Sequence, residues 1–214
     1  MSLLPQIEPS LQALDVHFDV ATAQLAQRIE QYLLLIEKWN KIHNLTAIRD
    51  PRAMLTQHVL DSLAVLPHIH GPHIVDVGTG AGLPGIPIAL ARPDWQITLV
   101  ESNQKKTAFL QQVKIELALH NVEIMARRIE DVCLTGTVDA VITRAFSELG
   151  KFVALTRNLT AENDANRLWV AMKADCADSE LKQITDPFYL EKIISLTVPG
   201  LDAARQLVIV KQRI

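Results

Sequence analysis

Gly78, Gly80 and Gly82, interleaved with Thr79 and Ala81 and preceded by Asp76, are the residues whose types and spacing most directly suggest chemistry in this sequence. Glycine at alternate positions lets a backbone turn sharply and approach a ligand that a Cβ would hold off. The carboxylate of Asp76 stands just before the turn. That of Glu101 ends the next apolar run, at about the distance past the glycines where an acidic residue grips ribose hydroxyls. The plainer role for Glu101 is a solvated strand end or a helix cap.

The flanking residues supply the elements that must position this set. Ile74 to Val77 is a short apolar run of the kind a buried parallel strand has. Leu83 to Leu90 reads as a helix, with Pro84 and Pro87 in its first turn, where a missing N–H costs little, and Pro93 just past its end. Trp95 to Val100 is a second β-rich run. The whole is a βαβ unit, which holds a nucleotide-type ligand at the carboxyl end of a strand and the amino end of a helix. Dinucleotide folds favour GxGxxG, whereas the spacing here is GxGxG, and Asp76 would repel a pyrophosphate. It could instead meet an ammonium group, which suits the amino acid half of S-adenosylmethionine. On these features alone the cofactor stays open.

Residues 20–43 carry Leu25, Ile29, Leu33, Ile36 and Trp39 on one helical stripe, with Trp39 read as core. Asp50-Pro51 can start a second helix through Met54, Leu55, Val59, Leu63 and Leu66. Residues 1–70 are therefore expected to form a helical extension, and 71–214 one compact α/β unit. In that unit Gln104 to Leu119 is a further helix and Phe152 to Leu159 another. Asn121 to Met125, Val138 to Thr143 and Arg167 to Lys173 are strands. Leu190 to Val198 and Arg205 to Val210 are two β-runs joined too closely for a helical crossover, so they should pair antiparallel. The expectation is a mostly parallel, seven-stranded sheet closed by a hairpin.

The chain has 214 residues, 21% of them charged and 49% apolar, with a formal net charge of −3. That balance argues against RNA binding by bulk electrostatics and leaves only local basic faces. Lys38, Lys41, Arg49 and Arg52 form one candidate, Lys105 and Lys106 a second, Arg127 and Arg128 a third. No apolar run suits a membrane span, and the first residues do not read as a signal peptide. Cys133 and Cys176 form no pattern, which fits a reducing cytoplasm. His68, His70 and His73 lie close together but without a carboxylate or thiol beside them, so no metal site is expected.

Several motifs in order carry a family resemblance: Asn44 to Thr46, Arg49 to Pro51, His58 to Leu63 (HVLDSL), Asp76 to Pro87 (DVGTGAGLPGIP), Arg127 to Asp131 and Ile142 to Phe146 (ITRAF). Together they resemble the bacterial 16S ribosomal RNA guanine-N(7) methyltransferase family, also called glucose-inhibited division protein B. The resemblance implies a class I, Rossmann-like, S-adenosylmethionine-dependent methyltransferase acting on 16S ribosomal RNA or the small subunit, cytoplasmic and monomeric. It also implies that Gly78 and Leu83 line the cofactor, that Ile129 and Glu130 bracket its adenine, and that Arg144 closes the site. Arg144 is the candidate for a role beyond binding, reaching a methionine carboxylate or a substrate phosphate; an ion pair with Glu148 is the plainer alternative. Phe146 is placed either under a base or in the core. Arg49, Arg52, Lys105 and Lys106 are the expected RNA contacts.

Among methyl acceptors, a pyrimidine carbon needs a cysteine nucleophile, and neither cysteine stands in a suitable setting. An exocyclic amine is usually served by an Asn/Asp-Pro-Pro-aromatic turn, where this chain has Thr143-Arg144-Ala145-Phe146. Guanine nitrogen 7 offers an in-plane lone pair and needs no base. A nicotinamide-dependent dehydrogenase and a non-catalytic RNA-binding ribosome-assembly factor remain the alternatives.

Overall fold

The computed structural model describes residues 2–213 apart from 145, 147, 158 and 160–165. Ala145 of the Thr-Arg-Ala-Phe stretch and Asn158 of the expected helix Phe152 to Leu159 thus lie outside the described residues. Seven strands form one sheet: β1 (His73–Val77), β2 (Gln96–Val100), β3 (Val122–Met125), β4 (Ala140–Thr143), β5 (Leu168–Lys173), β6 (Phe188–Ser195) and β7 (Gln206–Gln212), in the order β3-β2-β1-β4-β5-β7-β6. The first five run parallel, and β7 lies antiparallel to both β5 and β6, as the short connection before it requires.

The central strands β1 and β4 are buried almost throughout because helices cover both faces of a parallel sheet. Chain order reverses between β1 and β4. A sheet of this kind opens a crevice at the carboxyl ends of its strands at such a reversal.

The helices are α1 (Leu4–Ala13), α2 (Thr22–His43), α3 (Pro51–Met54), α4 (Asp61–Leu63), α5 (Gly85–Ala91), α6 (Gln104–Glu116), α7 (Leu149–Thr156) and α8 (Asp178–Leu181). Sequence reading missed α1, whose Pro5 and Pro9 look like helix breakers; Pro5 sits in the first turn, and Ile7 and Leu11 bury against the core. It also expected one continuous helix after Asp50. The structure has α3, then a π-helical turn over Leu55–Leu60, then α4. Asp50 does cap this run, accepting a bond from the Arg52 amide at 3.2 Å.

The stripe of α2 is buried as expected: Leu25, Ile29, Leu33 and Ile36 pack in one cluster with Ile86 of α5 and Phe109 and Leu110 of α6. Each such side chain contributes about 1.5–3 kcal/mol on burial. The helical extension and the sheet therefore share a core. Trp39 joins it at the margin, edge-on to Phe109 at 5.7 Å. Among the described residues no helix is long and apolar enough to cross a membrane.

Candidate functional site

The glycine turn between β1 and α5 is braced from three directions. From below, Asp76 is fully buried, and its Oδ2 accepts from Thr79 Oγ1 at 2.6 Å and from the Gly85 amide at 2.8 Å. Its Oδ1 is buried without a hydrogen-bond partner among the described residues. Burial raises its pKa to about 6 against the opposing bonds from Thr79 and Gly85. From one side, Glu101 Oε2 accepts from the Gly80 amide at 3.0 Å while Oε1 accepts from that of Asn103 at 2.8 Å. From the extension, the buried hydroxyl of Tyr32 donates to the Ala81 carbonyl at 2.6 Å.

The structure gives both Asp76 and the turn's amides partners within the protein. Asp76 lies behind the turn, so a direct contact with a ligand's ammonium gives way to anchoring the turn and answering the first amide of α5. The turn's own amides are also spent within the protein: those of Gly78 and Thr79 reach the Val100 carbonyl at 2.9 and 3.3 Å. What Gly78 offers a ligand is space. Its φ is +69°, and nothing lies within 4 Å of where a Cβ would stand. Gly82, at φ +95°, has the opposite reason to be glycine, because a Cβ there would run into Ile86 and Leu110.

Three adjoining cavities follow the crevice. The first, about 240 Å³, lies at the ends of β1, β2 and β3 and brings together Gly78, Glu101, Ile129, Glu130 and Phe146. The second, about 180 Å³, is lined by Thr46, Gly80, Leu83, Lys106 and Arg144 and shares Gly78 with the first. The third, about 280 Å³, contains Gln57, Asp61, Lys173 and Arg205 and shares Arg144 and His58 with the second. The predicted cofactor set is thus assembled along one groove, except that Asp76 and Gly82 support it from behind.

Arg144 does not pair with Glu148. Its guanidinium turns to the π-helical turn, donating to the Gln57 carbonyl at 2.9 Å and to His58 Nδ1 at 3.2 Å, with Asp61 Oδ2 at 3.5 Å. Asp61 Oδ1 also accepts from Arg205 Nε at 3.0 Å, so one buried carboxylate joins two arginines. Burial raises the Asp61 pKa while both guanidinium charges oppose the shift. Burial and then the Arg144 charge lower that of His58 to about 4, which keeps the ring neutral. Sequence reading used HVLDSL only as a family marker and missed His58 and Asp61 as site residues. The available signal was a histidine and an aspartate three residues apart, on one face of a run expected to be helical.

Of the expected RNA contacts, Arg49, Arg52 and Lys105 are exposed, and Arg49 donates to Asn44 Oδ1 at 3.0 Å. Lys106 is only half-exposed and leans toward Gly80. Phe146 lines the first cavity while packing on Phe152 with ring centroids 5.7 Å apart, so both roles considered for it are compatible. His73 is occupied by the Thr137 carbonyl and Thr98 Oγ1. Among the described residues no three His, Cys, Asp or Glu side chains are grouped to hold a metal ion.

A sheet of this order, ending in an antiparallel hairpin and carrying a glycine-turn crevice at the β1/β4 reversal, defines the class I S-adenosylmethionine-dependent methyltransferase fold. Solved structures agree on the fold. Magnesium protoporphyrin IX methyltransferase from Synechocystis, with bound S-adenosylmethionine, superposes with a TM-score of 0.57 at 14% identity over 85% of this chain and 97% of that one. A mutant of MtNAS in complex with S-adenosylmethionine gives 0.56 at 16% identity over 98% and 84%.

Sequence comparison narrows the class. The rRNA small subunit methyltransferase G family (GidB) matches over residues 25–209. The proteins of that name from Nitrosomonas europaea and Nitrosospira multiformis are 50% and 56% identical, over 99% and 86% of this chain and 98% and 88% of theirs. The chain belongs to the rRNA small subunit methyltransferase G family. The dehydrogenase alternative is not favoured.

Proposed function

We propose that this protein transfers a methyl group from S-adenosylmethionine to nitrogen 7 of a guanine in 16S ribosomal RNA, presented by the RNA or the small subunit. The observation that carries the reading is the open space at Gly78, where a Cβ would stand, at the seam between two cavities in a chain of this family. When bound, S-adenosylmethionine supplies an electrophilic methyl group on sulfur. The residues present fit that ligand. Glu101 would receive ribose hydroxyls, Ile129 and Glu130 would bracket the adenine, and Leu83 would line the wall. Lys106 and Arg144 would face the methionine carboxylate from the second cavity. Asp76 of β1 disfavours a dinucleotide, since its carboxylate takes the Gly85 amide that opens α5, where a pyrophosphate would seek the helix end.

The acceptor base would enter the second cavity. Nitrogen 7 uses its own in-plane lone pair, so the protein's task is alignment rather than proton removal. His58 is suited to this arrangement, since its Nδ1 is committed to Arg144 and it serves as a neutral spacer. Incubation with S-adenosylmethionine and unmethylated small subunits, followed by nuclease digestion and mass spectrometry, is expected to give one 7-methylguanosine per molecule. A 5-methylcytidine or 6-methyladenosine product would refute the assignment, as would tight NADH binding without S-adenosylmethionine binding in calorimetry.

A further inference from the structure

Thr46 stands on the loop between α2 and α3, at the edge of the second cavity. Its surroundings determine which way its hydroxyl hydrogen points. A hydrogen bond from the guanidinium of Arg144, which can only donate, makes His58 Nδ1, 3.2 Å away, the acceptor, against the pull of the Gln57 carbonyl, which favours a hydrogen on the ring. A neutral imidazole that accepts at Nδ1 carries its hydrogen on Nε2, and Nε2 lies 2.9 Å from Thr46 Oγ1. The Ile48 amide donates to the same oxygen at 3.1 Å. Both lone pairs of the hydroxyl are therefore filled. Its hydrogen remains, and among the described residues no hydrogen bond from it to an acceptor is made.

The loop holding this hydroxyl is fixed. The Thr46 amide donates to Oδ1 of the buried Asn40 at 3.0 Å, and Asn40 Nδ2 donates to the Ile48 carbonyl at 3.4 Å. A preset donor beside the methyl-transfer cavity has a chemical consequence for base choice. The Hoogsteen edge of guanine offers two acceptors, N7 and O6, whereas that of adenine offers N7 and a donating amine.

We infer that the Thr46 hydroxyl is a base-reading residue that donates to O6 of the acceptor guanine, its direction set by the chain Arg144–His58–Thr46. The inference rests on the proposed guanine-N7 reaction. Arginine is the commonest reader of guanine, but a bidentate arginine occupies N7 as well as O6. Here Gln57, His58 and Asp61 hold Arg144 back. A single hydroxyl takes O6 and leaves the N7 lone pair free to attack. It also adds no further positive charge to a cavity that Lys106 and Arg144 already line, beside a ring that becomes cationic on methylation. Adenine is rejected because its amine hydrogens would meet the hydroxyl hydrogen, and the hydroxyl has no lone pair left to offer. His58 acts through Thr46 and is a positioning residue.

The test begins with the wild type on unmethylated small subunits, which identifies the product and the modified nucleotide; absence of 7-methylguanosine at this stage defeats the underlying reaction rather than the reader. Thr46→Val is then expected to lower kcat/KM at least tenfold while S-adenosylmethionine affinity, measured by calorimetry, stays within twofold; Thr46→Ser should recover most of the rate. Subunits carrying 2-aminopurine at the modified position, which keeps N7 but lacks O6, separate reading from mere loop support. On that substrate the wild type should slow to the Thr46→Val rate, and the two proteins should be equal. An equal Thr46→Val deficit on both substrates would overturn the inference, as would an undiminished rate on guanine. Long-range 15N NMR of His58 supplies a readout independent of turnover: the hydrogen must be on Nε2, and a hydrogen on Nδ1 breaks the chain.

Discussion

Tyr32 on α2 and Ala81 in the glycine turn are joined by a buried hydrogen bond of 2.6 Å, so the helical extension reaches into the floor of the cofactor groove. Tyr32→Phe removes the donor and leaves the Ala81 carbonyl buried and unpaired, at a cost of about 1–3 kcal/mol. The expected result is a lower thermal midpoint together with weaker S-adenosylmethionine binding in calorimetry. Unchanged affinity in the destabilised variant would uncouple the extension from the groove.

Gly78→Val should abolish cofactor affinity in a protein that still folds. The space around Gly78 is open, so the native packing has no clash to resolve, while φ of +69° costs a valine about 1–2 kcal/mol. Circular dichroism would establish the fold and calorimetry the loss. Binding that survives in the folded variant removes this turn from the site.

Two buried titrations should oppose one another. His58 has a folded pKa lowered to about 4 from 6.5, so its contribution to stability is present above pH 6.5 and is lost as pH falls toward 4. Asp76 has a folded pKa raised to about 6 from 3.8, so its contribution is present below 3.8 and is lost as pH rises through 6. Each swing is on the order of 3 kcal/mol. Urea titrations of Asp76→Asn should reveal the His58 dependence, with stability falling more steeply than in the wild type between pH 6 and 4. Parallel profiles for variant and wild type would contradict the Asp76 assignment.

Arg49 and Lys105 are exposed next in sequence to Ile48 and Lys106, which line the groove, and Arg52 is exposed in α3. Changing all three to glutamate should weaken RNA binding most strongly at low salt and flatten its salt dependence, with cofactor affinity retained. Filter binding at several salt concentrations reads this directly. If RNA affinity holds, these side chains merely solubilise the protein.

Arg144→Ala should cost far more in turnover than in stability, because Asp61 keeps Arg205 as a partner while His58 loses the contact that fixes its ring. Cys133→Ser and Cys176→Ser should remain active, since N7 methylation needs no thiol nucleophile. A methylation assay beside thermal melts compares all three, and an inactive cysteine variant of normal stability would demand different chemistry.

What could be read from the sequence was whatever depended on periodicity and turn chemistry. The strand ending at Val77, the turn, and the run ending at Glu101 are local patterns, and the closing hairpin stems from the short connection between Ser195 and Gln206. Helix α1 was hidden because proline in a first turn and proline as a breaker look alike without tertiary contacts. The direction of side chains was equally hidden. Asp76 points behind the turn because α5 begins there with an unpaired amide. Arg144 turns away from Glu148 because a buried aspartate 83 residues earlier offers a partner. Such choices are made by three-dimensional packing and leave no spacing to detect.

The π-helical turn over Leu55–Leu60 makes the site sensitive to residue count as well as residue identity. Such a turn holds one residue more than an α-helical turn would. Excising that residue lets the helix close regularly and rotates its C-terminal part by about 100° relative to its N-terminal part. Asp61 would swing away from Arg144 and Arg205, and His58 could not reach Thr46 and Arg144 together. Gln57 contributes its carbonyl rather than its side chain, so Gln57→Ala should keep most activity while deletion of Gln57 removes it. A methylation assay on the two variants measures that contrast, and equal activities would mean the turn is incidental. Along this segment, then, insertions and deletions should be purged far more strictly than substitutions.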